Sequence, residues 1–288
     1  MLSEEYSPEH LTGLLGIDTG DSLSPLIHNQ VYRQRGISAV YKSFSLDPEN
    51  FSRAFMGARA LGLRGLNLTY PFKEEVLPFL DDITSRAESV GAVNTVHFGS
   101  EIRGYNTDIL ALNRLFAGWF DGAEEEIKVL LVGAGGAARA VAAALKELNF
   151  LDDIEIIITN RTAGRAKKLA DELVAGEEGI SVRTAAWQES SLSRVVGEVN
   201  LIADATPLGW KGELFPGAGR VSADQRIFDL SYPHPAPPLM ELAEKRGARR
   251  ENGLRMLLYQ AEAAHEIWFE DTEFALELLP DSRLITMD

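Results

Sequence analysis

The chain has 288 residues, about two domains by length, and a chain of this size buries roughly three quarters of its extended surface on folding. With 45% hydrophobic and 25% charged residues it has the composition of a globular protein, which excludes disorder, collagen and a long coiled coil. The 28 Lys and Arg against 43 Asp and Glu leave a net charge of −15 and an isoelectric point near 4.8, and no basic run offsets it, so neither nucleic acid nor anionic membrane is expected as a partner. There is no apolar stretch long enough to cross a bilayer, and the opening MLSEEYSPEH has neither the basic nor the apolar region of a leader, so a cytoplasmic location is expected. The absence of cysteine removes disulfides, thiolate metal sites and sulfur nucleophiles. His10, His28, His97, His234 and His265 never fall at metal-ligand spacing, and no metal is expected.

Apolar runs of strand length alternate with helix-length segments along the chain, the pattern of α/β folds with mostly parallel sheets. Strands are predicted over 11–17, 39–46, 63–68 and 92–98, and a helix over 48–61 with Phe51, Ala54, Phe55 and Ala58 on one face. Residues 93–105 read as a hairpin turned at Gly99-Ser100. The segment AGWFDGAEEE, 117–126, interrupts the periodicity with glycines and glutamates and marks a boundary. After it come a strand over 127–132, a glycine turn, an alanine-rich helix over 137–148, and strands over 154–159, 199–203 and 226–230. A last helix over 255–269 carries Met256, Leu257, Ala261, Ala264 and Trp268 at helical spacing.

Gly133-Ala134-Gly135-Gly136-Ala137-Ala138 matches G-x-G-x-x-A between a predicted strand and a predicted helix, the context in which that motif binds a dinucleotide. The first glycine permits the tight turn, the next lets backbone N–H groups approach a pyrophosphate, and Ala138 lets helix pack on strand. The following strand ends Thr159-Asn160-Arg161-Thr162, with Arg165 one turn on. Guanidinium groups there suit a ribose 2′-phosphate, so NADP is expected rather than NAD, whose 2′-hydroxyl calls for an acid at this place.

In the first half, polar groups stand where strands end. Ser22-Leu23-Ser24-Pro25 precedes a helix holding His28-Asn29, and the two hydroxyls read either as a helix cap or as a carboxylate cradle. Asn67-Leu68-Thr69-Tyr70-Pro71-Phe72-Lys73 ends a strand and opens a helix, Asn94-Thr95 lies within another strand, and Asn106-Thr107-Asp108 caps the next helix. Together they suit a polyol: Asn and Thr for hydroxyls, one Lys and one Asp for proton transfer.

The segments SLSPxxHN, GLRGLNLTYPFK, AVNTV, GYNTD, VGAGGAARA, NRT, ATPLG and GLRMLLYQA occur in the order and spacing of the shikimate dehydrogenase family, which the sequence resembles from about Leu14 to Trp268. The resemblance implies an α/β protein of two lobes. An N-terminal substrate-binding lobe over 1–107 is completed by C-terminal helices over 253–288, with a Rossmann-type NADP-binding lobe over 108–252 between them. It implies an NADP-dependent oxidoreductase that interconverts 3-dehydroshikimate and shikimate in chorismate and aromatic amino-acid biosynthesis, as a monomer or homodimer. By the same resemblance Ser22 and Ser24 hold the substrate carboxylate, assisted by Tyr232, while Asn67, Thr69, Asn94, Asp108 and Gln260 surround its hydroxyls. Lys73 and Asp108 match the catalytic pair, with Lys73 as acid and base and Asp108 as orienter. Gly133, Ala134, Gly135, Gly136 and Ala137 match the diphosphate loop, and Asn160, Arg161, Thr162 and Arg165 the 2′-phosphate grip. Thr206 and Gly253 match further cofactor positions.

Some positions depart from the family's usual residues. Asp21 stands for His, Ala111 for Gly, Asp204 for Asn, Trp210 for Met and His265 for Phe, and the run Ser231 to Pro238 is altered. A bulkier Trp210 reshapes the pocket or packs over the cofactor ring, which keeps quinate and aminoshikimate as alternative substrates. Asp21, beside a carboxylate site, is expected to face solvent. Glutamyl-tRNA reductase shares the glycine turn and Asn-Arg-Thr, but needs a cysteine and binds a polyanion. Methylenetetrahydrofolate dehydrogenase gives no reason for SLSP or NTD, and a non-catalytic dinucleotide sensor gives none for Lys73 with Asp108.

Overall fold

Leu14 and Leu15, neighbours in sequence, end on opposite faces of a sheet and in two different cores, which is the period-2 alternation of a strand buried on both sides. The computed structural model describes residues 8–120, 126–148, 153–174, 180–232 and 236–270. By internal contacts the chain divides into two units, one made of 1–110 with 257–286 and the other of 111–256 with 287–288.

The first unit opens with β1 (His10–Gly16), α1 (Ser24–Arg35), β2 (Ala39–Ser45), α2 (Phe51–Ala60) and β3 (Gly65–Leu68). It continues with α3 (Phe72–Glu75), β4 (Asp82–Ile83), α4 (Ser85–Val90), β5 (Thr95–Phe98), β6 (Ile102–Tyr105) and the start of α5 (Thr107–Ala117). Its six strands lie in the order β2-β1-β3-β5-β6-β4, with β5 antiparallel to β3 and β6. The expected hairpin is present, with Phe98 paired to Ile102 around Gly99. The predicted helix over 48–61 divides into a 3-10 turn at Pro48–Asn50 and α2, and two predicted strands start late, at Gly65 and Thr95.

One face of this sheet packs Phe51 and Phe55 of α2 with Phe72, Leu66, Leu68, Val93 and Val96; the Phe51 and Phe72 rings stack with centroids 4.5 Å apart. The other face packs Leu14 and Tyr41 against Tyr32 of α1 and against Ala264 and Trp268, which arrive from the far end of the chain. Trp268 Nε1 donates to Val96 O at 3.0 Å, and a Cβ at Gly65 would collide with its indole, so that strand position has no room for a side chain.

The second unit begins within α5 and runs through β7 (Glu126–Val132), α6 (Gly136–Lys146), β8 (Asp153–Thr159), α7 (Ala163–Val174), β9 (Ile180–Ala185), α8 (Glu189–Val196) and β10 (Leu201–Asp204). It closes with β11 (Arg226–Asp229), α9 (Pro238–Arg246), β12 (Arg249–Asn252) and the first turn of α10 (Gly253–Phe269). All its strands are parallel, in the order β12-β11-β10-β7-β8-β9. The chain starts in the middle at β7, winds outward one way, then returns to β10 and winds the other way. Between β7 and β10 the connections diverge, which is where open α/β sheets bind ligands. Leu130, Val132, Ile157, Ile202 and Ile227 of the sheet pack with Leu192, Val195 and Val196 of α8 and Leu239, Met240 and Ala243 of α9. The expected boundary at 117–126 falls partly outside the described residues, as do His234 and the centre of the 231–238 run. Among the described residues no helix is long and apolar enough to cross a membrane.

Candidate functional site

β3, β5 and the start of α5 bring the polar residues of the first unit together. Lys73 Nζ lies 2.6 Å from Asp108 Oδ2, with the Lys side chain 25% exposed and the Asp side chain 7% exposed. Lys73 is fixed from behind, because Val93 N donates to its carbonyl at 2.8 Å. Asn94 is the hub: its Nδ2 reaches Asp108 Oδ1 at 2.8 Å, Thr107 Oγ1 at 3.0 Å and Gln260 Oε1 at 3.1 Å. Its Oδ1 accepts from Thr107 N at 2.7 Å. One carboxylate oxygen of Asp108 thus meets an amide and the other an ammonium, which fixes the plane of the group. Asp108 does not cap α5; Asn106 does, with Oδ1 accepting from Ile109 N at 3.2 Å, and Asp108 lies in the first turn, where its charge suits the helix dipole.

Next to the hub, Asn67 Nδ2 donates to Thr95 Oγ1 at 2.9 Å and its Oδ1 accepts from Tyr41 OH at 2.8 Å. Tyr41 was not singled out in the sequence, because an aromatic residue in an apolar strand reads as core. Its ring stacks on His28 with centroids 4.2 Å apart and planes 2° from parallel. Burial and the neighbouring His265 push His28 down to about 3, and burial pushes the Tyr32 phenol up despite its bond to Thr12.

Of the two readings of Ser22 and Ser24, the helix cap is not what the structure holds. The N-cap of α1 is Leu23, without a side-chain cap bond, and Pro25 occupies the first turn. Ser22 Oγ instead lies 3.2 Å from both Ser24 Oγ and Ser24 N. Asp21 is exposed, as expected. Thr69, after β3, donates its N–H to Leu15 O at 3.0 Å, and its methyl lies so close over Gly16 that a Cβ there would collide with it.

In the second unit, Gly133 sits at φ +111°, and a Cβ on it would come within 3.1 Å of Ala205 O in the loop after β10. Gly135 and Gly136 lead into α6, and no atom of the described residues lies within 4 Å of the place a Cβ would take. A tight turn at the switch between β7 and β10, followed by bare backbone facing open space at a helix start, fits a pyrophosphate. Ala134 and Ala137 flank it, and Ala138, in the first turn of α6, is fully buried. Asn160 Nδ2 donates to Thr162 O at 3.0 Å, so the turn after β8 is self-closed, and Arg161, Thr162 and Arg165 are exposed on it. Neither arginine has an ion-pair partner among the described residues, and exposed guanidinium groups of this kind can pair with a phosphate.

The carboxyl edge of the second sheet holds a row that sequence reading did not find. Asp204, Asp229 and Asn252 are in register on β10, β11 and β12, and each accepts from the backbone N–H two residues on, in Thr206, Ser231 and Leu254, at 2.8, 2.9 and 3.0 Å. Burial and the charge of Asp229 push Asp204 up to about 7, and burial pushes Asp229 up to about 6. The loops above them interlock. Gly209 lies against Ser231, the Trp210 ring meets the Tyr232 ring edge-on with centroids 5.0 Å apart, and Gly253 lies against Leu230 O.

Residues 14–96 match the profile of the shikimate dehydrogenase substrate binding domain, and residues 119–208 that of shikimate / quinate 5-dehydrogenase. A shikimate dehydrogenase (NADP(+)) of Dictyoglomus thermophilum is 37% identical over 265 residues, 90% of this chain and 91% of that protein. One from Methanopyrus kandleri is 38% identical over 270 residues, 90% of each. The crystal structure of shikimate dehydrogenase from Aquifex aeolicus superposes with a TM-score of 0.81 at 32% identity, covering 94% of this chain and 98% of that one. That of Thermus thermophilus, solved with NADP(H) and shikimate, gives 0.77 at 30%, covering 93% and 98%. With the substrate-side cluster on one unit, the glycine turn on the other and these likenesses along nine tenths of its length, the chain belongs to the shikimate dehydrogenase family.

Proposed function

We propose that this chain catalyses the NADP-dependent, reversible reduction of 3-dehydroshikimate to shikimate in the cytoplasm, with Lys73 and Asp108 as its acid-base pair. The observation that carries the reading is the Lys73 to Asp108 contact at 2.6 Å within a network of Asn, Thr and Gln side chains. Reduction of the ketone takes up a hydride and a proton; NADP, when bound, supplies or accepts the hydride. Lys73 supplies the proton to the forming alkoxide, and in the oxidation it takes it back. Asp108 orients the ammonium and accepts from a ring hydroxyl. Asn94 serves by fixing Asp108 and Gln260. Asn67, Thr69 and Gln260 meet the remaining hydroxyls, and Ser22, Ser24 and Tyr232 the carboxylate. The glycine turn from Gly133 to Ala137 holds the diphosphate, Asn160, Arg161, Thr162 and Arg165 hold the 2′-phosphate, and Thr206 and Gly253 complete the cofactor side.

The test is a matrix of purified protein with NADP or NAD against shikimate or quinate, read by absorbance of the reduced nicotinamide, together with Lys73→Met. Turnover is expected with NADP and shikimate, and the variant is expected to lose about 10²–10⁴-fold in kcat while still binding NADP. Near-normal turnover of the variant removes Lys73 from the mechanism. Preference for quinate makes Trp210 and Tyr232 the place to look for specificity, and silence in every arm favours a non-catalytic dinucleotide sensor.

A further inference from the structure

Asp204 and Asp229 end adjacent strands in direct register and are 2% and 0% exposed. Each commits Oδ1 to its own loop: Asp204 accepts from Thr206 N at 2.8 Å and Thr206 Oγ1 at 2.6 Å, and Asp229 from Ser231 N at 2.9 Å and from the Ser231 hydroxyl. Asp229 Oδ2 is enclosed and has no hydrogen-bond partner among the described residues, and the Cβ of any residue replacing Gly209 would lie 3.0 Å from it. No cation relieves the pair: neither has an ion-pair partner among the described residues. Their register neighbours are Val132 on β7 and the neutral Asn252 on β12, and the nearby Glu251 is held by Arg255 at 2.8 Å. Two carboxylates at one buried sheet end, one with an oxygen that meets no donor among the described residues, do not both carry charge at low cost.

We propose that Asp204 is a positioning residue for the dinucleotide: it keeps a proton, shares it with Asp229, and so ties the loop 205–209 to the loop 230–232. This rests on the reading of the second unit as the NADP site. Thr206 hangs from Asp204 by two bonds, and Gly209 and Trp210 lie against Ser231 and Tyr232, so the shared proton holds together the two loops that close over this edge of the sheet. Losing it sets two anions side by side and drives the loops apart, and NADP binding weakens as pH rises through the neutral range.

The experiment measures NADP+ dissociation constants from pH 6 to 9 for the wild type and Asp204→Asn, with adenosine 2′,5′-bisphosphate as a parallel ligand that reads only the 2′-phosphate side and its own titration. Asn keeps the acceptor for Thr206 and supplies an amide N–H toward Asp229. The wild-type constant, relative to the fragment, is expected to weaken toward tenfold per pH unit above about 7, the limit for one proton. Asp204→Asn is expected to be flat on the same scale. Equal slopes in the two proteins overturn the proposal. Infrared spectroscopy of the unliganded protein provides a readout that needs no NADP. A protonated-carboxyl C=O band at neutral pH that vanishes in Asp204→Asn supports the shared proton even if NADP fails to bind and the functional reading falls; absence of the band in the wild type overturns it.

Discussion

Asn94→Ala tests whether the polar cluster of the first unit works as one network. Asn94 is 2% exposed, and its Oδ1 takes the N–H of Thr107 at 2.7 Å in the first turn of α5, where no helical carbonyl is available. Removing it leaves a buried N–H unpaired, at about 1–3 kcal/mol, and deletes the amide donor 2.8 Å from Asp108 Oδ1, a bond to a charged group worth about 1.5–3 kcal/mol. Because the two losses share one site they add incompletely, and about 2–5 kcal/mol is expected. Asn94→Asp keeps the acceptor for Thr107 but turns the Asp108 contact into one between carboxylates, so it spares the helix start and harms the proposed Lys73–Asp108 acid-base pair. Urea unfolding, amide exchange at Thr107 and steady-state kinetics separate the two. The reasoning is refuted if Asn94→Ala unfolds within 1 kcal/mol of the wild type and keeps its kcat.

Trp268→Ala is expected to cost about 3–5 kcal/mol, since the ring is fully buried and Val96 O loses its donor, while Trp268→Phe costs less; urea midpoints that barely move for the Ala variant count against the packing described. His28 is fully enclosed and held down to about 3, faced by His265 and flanked by Tyr32 and Tyr41. Below pH about 6.5 the unfolded chain takes up a proton there that the folded chain refuses, so stability falls as pH drops, by about 2 kcal/mol at pH 5. Thermal melts at pH 7.5 and 5 are expected to show a smaller drop for His28→Phe, and identical drops in the two proteins argue against it.

Much of this was legible in the sequence because it is local. The glycine turn announces itself between an apolar strand and an alanine-rich helix, and the hairpin at Gly99 is set by the loop between two short strands. What stayed hidden depends on partners distant in the chain. β12, Arg-Arg-Glu-Asn, has no strand-like composition and exists because β11 offers an open edge, so the last helix was expected to start at 255 rather than Gly253. β9, Ile180–Ala185, is likewise an edge strand, with no buried residue, and gave no apolar run. Ser22 and Ser24 have the composition of a cap, but Pro25 supplies the helix start and leaves the hydroxyls to each other. Asp204 and Asp229 stand 25 positions apart in the numbering and become neighbours only through strand register.

One face of the N-terminal sheet is completed by Ala264 and Trp268, so the unit made first is the one finished last. On the ribosome, Leu14, Tyr32 and Tyr41 emerge early and wait with an open apolar surface while the whole β7 to β12 segment is translated and has every strand it needs. The nascent chain therefore carries a finished nucleotide fold beside a half-covered sheet, and chaperone demand falls on that interval.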